Sequence, residues 1–163
     1  MPAEELERCY LAAMRILNYR FNSRAELQRK LRMKDFAAED IECTLDRLTG
    51  EKWLDDDRFA AAFVRTRLRK RIGPLRIRHE LHAAGVDDES AARALRENTN
   101  ADAERESLVA VCAKRARILT RRHGPEYLAT DEGRNKLTGY LLKHGYDAAE
   151  IRSALKEIPV VHD

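Results

Sequence analysis

Asp55, Asp56 and Asp57 stand in a row, His79 and His82 bracket Glu80, and eight arginines and lysines crowd the segment from Arg58 to His82. The acids and histidines raise metal ligation or general acid–base catalysis first. Three consecutive aspartates at a helix start point to different sides of its axis, and capping together with the helix dipole accounts for acids at that position. His79 and His82 share a helical face, but no third ligand motif accompanies them. The chain has no Gly-x-x-x-x-Gly-Lys-Ser/Thr loop, no Gly-x-Ser-x-Gly elbow and no Cys/His cluster. Nucleotide, acyl and metal chemistry therefore lack their parts. We expect no catalytic residue, no metal and no cofactor, and so no enzyme.

The cations tell a different story. Arg58, Arg65, Arg67, Arg69, Lys70, Arg71, Arg76 and Arg78 face a single acid, Glu80, so the segment carries +7, whereas Ala83 to Glu106 carries −4. Arginines concentrated at the end of one helix, across Ile72-Gly73-Pro74 and into the next, suit phosphates or carboxylates bidentately. A second cluster, Lys114, Arg115, Arg117, Arg121 and Arg122, has no acid near it in sequence. A solvated helix face is the bland reading of any charge run, but so one-sided a run favours a polyanionic partner. Tyr127 and Tyr140 have rings that could stack on bases, although a tyrosine in a helical protein more often packs.

These side chains need a scaffold, and composition says it is helical. Of 163 residues 44% are apolar and 36% charged, with only 7 glycines and 4 prolines, a mixture suited to long exposed helices. A repeat organises them. Leu27, Leu31, Phe36, Ile41 and Leu45 recur 50 residues later as Ile77, Leu81, Val86, Ala91 and Leu95, and 110 residues later as Leu137, Leu141, Tyr146, Ile151 and Leu155. Spacing of four marks one helical face on each side of a turn at the middle position. Gly85 and Gly145 precede that position and favour a left-handed helix end, and Asp35 fills the slot in the first copy.

Ser23 with Glu26 and Asp147 with Glu150 have capping-box spacing, and Pro74 suits a first helical turn. A longer helix precedes each pair, over residues 3–20, 56–71 and 103–122. The stripe Leu6, Tyr10, Ala13, Met14 and Leu17 faces inward on the first, and Phe59, Phe63 and Val64 serve the second. Asn98–Ala103 and His123–Thr130 read as linkers. The expected fold is all-α: three tandem three-helix, helix-turn-helix-like repeats at 1–54, 55–98 and 101–159, in an elongated, curved array.

Cys9, Cys43 and Cys112 are far apart and odd in number, which fits free thiols in a reducing cytosol. No apolar run approaches the roughly 18 residues of a membrane span, and the acidic start resembles no signal peptide. A cytoplasmic protein without membrane attachment is expected.

At Trp53-Leu54-Asp55-Asp56-Asp57-Arg58-Phe59 and Gly73-Pro74-Leu75-Arg76-Ile77-Arg78-His79-Glu80-Leu81 the chain resembles the RecX family of bacterial recombination regulators. Ser23-Arg24-Ala25-Glu26-Leu27 and Leu141-Leu142-Lys143-His144-Gly145-Tyr146 extend the resemblance over nearly the whole chain. The chain departs at Ala84-Gly85, where many relatives have Lys-Gly, and at Lys52-Trp53, where many have a glycine before the Leu-Asp-Asp motif. The resemblance implies a protein that binds the RecA recombinase along the groove of its filament on single-stranded DNA. Such a protein suppresses ATP hydrolysis, strand exchange and LexA cleavage, and thereby restrains recombination and the SOS response.

Leu54, Asp55, Asp56, Phe59, Gly73 and Pro74 are expected to be structural: a helix entry capped by Asp55, Phe59 in the core, and a sharp interhelical turn. Contacts to RecA or DNA are expected at Arg65, Arg67, Arg69, Lys70, Arg71, Arg76, Arg78, Lys114, Arg115 and Arg117. One chain suffices to cross several RecA protomers, so a monomer is expected. The competing reading is a helical protein that grips DNA phosphates without sequence preference.

Overall fold

The computed structural model describes residues 2–157, and among them it contains nine α-helices, one 3-10 turn and no strand. The helices are α1 (Pro2–Tyr19), α2 (Arg24–Arg32), α3 (Ala38–Gly50), α4 (Asp56–Arg69), α5 (Pro74–Ala83), α6 (Asp88–Asn98), α7 (Ala101–His123), α8 (Asp131–His144) and α9 (Ala148–Glu157). Three sets of three follow one another, as the 50- and 110-residue offsets predict. Twelve of the fifteen register positions are buried, and Phe36, Leu95 and Leu155 are half-buried. The left-handed turn recurs at each slot, with Asp35 at φ +62°, Gly85 at +82° and Gly145 at +95°.

Caps follow the sequence as well. Ser23 Oγ accepts from Glu26 N at 3.0 Å, Asp55 Oδ1 from Arg58 N at 3.0 Å, and Asp147 Oδ1 from Ala149 N at 2.7 Å. Pro74 opens α5. The expected linkers are largely structured. Asn100 is the N-cap of α7, accepting from Ala103 N at 2.8 Å, and Pro125–Ala129 forms the 3-10 turn packed against α7 and α8.

The chain divides into two compact units. The first holds the chain up to Phe63 together with Glu80–Ala94, around Cys9, Ala13, Leu27, Leu31, Ile41, Leu45, Leu48 and Leu54. The second holds Val64–His79 and the chain from Leu95 on, around Leu108, Cys112, Leu119, Leu137, Leu141, Tyr146 and Ile151. Each leucine fully removed from water contributes roughly 2 kcal/mol. The boundary passes through α4, α5 and α6, so the middle copy lends residues to both units.

Within each unit successive copies are joined in the same way. In the first, Ser23 Oγ donates to Ala84 O, and Arg29 Nη2 to Ala83 O at 3.2 Å. In the second, Gly73 N donates to His144 O at 2.8 Å, Leu75 N to Gly145 O at 3.1 Å, and Arg76 Nη1 to Lys143 O at 3.4 Å. The carbonyls are those a helix end leaves without partners, and the N-terminal residues of the preceding copy's second helix, with the Arg29 side chain from further along α2, satisfy them.

Cys9 and Cys112 are buried and Cys43 is exposed, and none is in a disulfide. Burial pushes the Cys112 thiol up to about 11 and raises that of Cys9 as well. One thiol is therefore expected to react quickly with a disulfide reagent in the native protein and two only on unfolding. Cys43→Ser should abolish the fast phase, and a fast phase that survives it would contradict the packing.

Candidate functional site

The basic segment is built around the end of α4. Arg65 and Arg69 lie one turn apart, with Arg69 Nε donating to the Arg65 carbonyl at 3.4 Å and Arg65 Nη1 lying 3.5 Å from Asn98 Oδ1. The helix closes with Arg71 N donating to Leu68 O at 2.8 Å and Ile72 N to Arg67 O at 3.1 Å. That closure needs a left-handed residue, and Arg71 supplies it at φ +56°, costing about 1 kcal/mol relative to glycine. The third copy holds this turn: the buried Tyr146 donates its hydroxyl to Arg71 O at 2.8 Å.

Arg65, Arg69, Lys70, Arg71, Arg76 and Arg78 are exposed, and Arg67 is half-buried. On α7, Lys114, Arg117, Arg121 and Arg122 surround Ile118 in a shallow recess of about 520 Å³. Arg115 turns the other way. Its guanidinium lies 4.5 Å from the centroid of the Tyr140 ring, whose own centroid is 4.7 Å from that of His144. Arg76 reaches the same place through its bond to Lys143 O. All ten expected contact residues thus belong to the second unit, and Arg76, His144, Tyr140 and Arg115 form one cationic and aromatic array across α5, α8 and α7. His144 lies in the Leu141–Tyr146 stretch that carries the resemblance but is not among the expected contact residues; its spacing of four from Tyr140 on α8 is the signal for this role. Tyr127 is engaged otherwise, its ring stacked on His123 at 4.3 Å and its hydroxyl donating to Glu132 at 3.1 Å.

Burial, and then the charge of Arg76, hold the His144 imidazole below its ordinary value near 6.5. The unfolded chain takes up that proton first as pH falls. His144 therefore contributes stability that is complete above about 6.5 and is lost as pH drops towards its folded value. A polyanion laid against Arg76 reverses the local field and is expected to raise the His144 pKa. Imidazole NMR during an oligothymidylate titration reads this directly, and an unmoved His144 in a bound complex would exclude the array from contact.

The three aspartates do separate work. Asp55 caps α4, Asp56 accepts from Arg24 N at 2.7 Å, and Asp57 pairs with Arg93. Burial raises the pKa of Asp56 despite that bond. His82 Nε2 lies 3.1 Å from Asp88 Oδ1 and His79 is exposed. Leu54 and Phe59 are buried, and Lys52 takes a left-handed φ of +61°, a conformation that glycine adopts at less cost. Among the described residues no three His, Cys, Asp or Glu side chains gather to hold a metal ion, and no helix is long and apolar enough to cross a membrane.

Comparison with known proteins agrees along the chain. Residues 9–48 match the family model described as RecX, first three-helix domain, and residues 55–95 the model described as RecX, second three-helix domain. A regulatory protein RecX of Xanthomonas oryzae pv. oryzae strain MAFF 311018 is 36% identical over 149 residues, covering 90% of this chain and 86% of that protein. One from Stenotrophomonas maltophilia strain R551-3 is 34% identical over 151 residues, covering 90% and 85%. The crystal structure of RecX from Lactobacillus salivarius superposes with a TM-score of 0.79 at 26% identity, covering 98% of this chain and 99% of that one. Repeat register, helix caps, motif positions and these likenesses coincide: the chain belongs to the RecX family of regulatory proteins.

Proposed function

We propose that this protein is a negative regulator of the RecA recombinase. It binds the groove of the RecA filament on single-stranded DNA and inhibits ATP hydrolysis, strand exchange and the LexA coprotease activity, as a cytoplasmic monomer modulating DNA repair and the SOS response. Three repeats, at 1–54, 55–98 and 101–159, supply the footprint, and no cofactor takes part. The observation that carries the reading, beside family membership, is the arginine-rich α4–α5 turn, which is exposed yet fixed by the third copy. A rigid cationic turn loses little entropy when it meets a filament of protein carboxylates and DNA phosphates. Non-specific DNA binding is the second reading, favoured by the Lys114–Arg122 stripe on α7.

RecA-dependent ATP hydrolysis on single-stranded DNA, followed with too little of this protein to coat the DNA, separates the two. Inhibition under those conditions is expected. Inhibition that appears only at DNA saturation and disappears with excess free DNA would leave DNA binding as the function.

A further inference from the structure

The junctions between copies also reveal which face has no neighbour. Ala83 and Ala84 at the end of α5, and Lys143 and His144 at the end of α8, receive donors from the preceding copy. The positions equivalent to Ala83 and Ala84 in the first copy are Met33 and Lys34, and among the described residues no donor from another copy is bonded to their carbonyls. Met33 is 83% and Tyr19 91% exposed, the two most exposed large apolar side chains among the described residues. With Ile16, Lys30 and Lys34 they line a recess of about 440 Å³ in the first unit.

Among the described residues no carboxylate pairs directly with the lysines. Lys30 Nζ donates to Asn22 Oδ1 at 2.6 Å, and Asn22 is itself buried and bonded to Arg20 O. The nearby carboxylate of Glu26 is taken by Arg20 at 3.0 Å. Among the described residues neither Lys30 nor Lys34 has an ion pair. Large apolar side chains this exposed are seldom gathered in one recess without a use, so an apolar recess rimmed by cations here points to a partner.

We infer that the Ile16–Tyr19–Met33 recess is a protein-docking surface for a partner helix whose first turn is acidic and whose next turn presents an apolar side chain. Such an end repeats what the internal junctions do: its free N–H groups meet the exposed end of α2, its acids meet Lys30 and Lys34, and its apolar residue fills the recess. A second copy of this chain does not fit. The matching face of its third copy, at the start of α8, is covered by its own 3-10 turn, and a Cβ on Gly133 would lie 2.0 Å from Tyr127 O. A polynucleotide would satisfy the lysines and leave Ile16 and Met33 in water.

The test is independent of RecA and DNA. Methyl NMR of the full chain is followed on titration with a helical peptide beginning Ser-Asp-Glu-Glu and carrying leucine and phenylalanine in its next turn. Saturable shifts at Met33 and Ile16 are expected, with affinity falling roughly tenfold or more when the acids become lysines and again in Met33→Glu. Lys30→Glu with Lys34→Glu should reverse the preference between the two peptides. Met33 is exposed, so circular dichroism of Met33→Glu should match the parent. Unmoved Met33, equal binding of both peptides, concentration-dependent Met33 shifts without peptide, or oligothymidylate shifting Met33 in place of the peptide would each overturn the assignment.

Discussion

Gly145→Ala is expected to destabilise the protein by about 2–4 kcal/mol, a large loss for one added methyl group. Two costs combine. Gly145 sits at φ +95°, where a Cβ is strained, and that Cβ would lie 2.3 Å from Arg76 Cβ, 2.6 Å from Arg76 N and 2.9 Å from Gly73 O. Backbone atoms cannot step aside, so α5 and α8 must separate and the bonds from Gly73 N and Leu75 N go with them. Natural domains hold only about 5–15 kcal/mol in total, so the loss should lower the melting temperature by roughly 5–15 °C. Gly139→Ala is the matched control. Gly139 lies inside α8 with nothing within 4 Å of its added Cβ, and alanine there should be neutral or stabilising by up to about 1 kcal/mol. Equal melting of the two variants would refute the close junction.

Charge reversal at Arg65, Arg69, Lys70 and Arg71 to glutamate is expected to weaken inhibition of RecA-dependent ATP hydrolysis by on the order of a hundredfold. Four reversals, two charges each, take the Arg58–His82 segment from +7 to −1. All four side chains are exposed, so circular dichroism should stay unchanged. Arg67 is left alone because it is half-buried, and a glutamate there would test folding instead of contact. Inhibition should also become less sensitive to salt, since fewer cations are left to displace counterions. If the reversed variant inhibits as well as the parent, the α4–α5 turn is not the contact, and Lys114→Glu with Arg117→Glu becomes the next variant to measure.

The helical repeats were legible because their signals are local. Leu27 and Leu31 need only a four-residue spacing to declare a face, and Asp35 declares its left-handed turn by occupying the glycine slot. Ser23, Asp55 and Asp147 are caps that read directly from residue type. What could not be read depends on residues brought together from afar. Asp56 looked like one more cap residue but accepts from Arg24 N, 32 positions away. Arg71 and Lys52 take left-handed conformations that their side chains do nothing to announce. Among the candidate contact residues, the exposure of Arg65, the half-burial of Arg67 and the half-burial of Arg115 against Tyr140 of α8 depend on which side of a helix is covered by other elements. Asn100 and Pro125–Ala129 passed for linker because polar, Gly-Pro-containing stretches usually are; caps and short 3-10 turns use the same residues.

The bonds at the junctions also set a direction in time. At the ends of α5 and α8 the donors lie in the earlier copy and the acceptors in the later one, with Tyr146 bonding back to Arg71 O: Ser23 waits 61 residues for Ala84, and Arg76 waits 67 for Lys143. A ribosome delivers residues at roughly 5–20 per second, so each helix forms long before the loop that closes its junction is complete. Synthesis therefore delivers the donor side of each of these junctions before its acceptor side, and a junction can close only once the second helix of the later copy has been made.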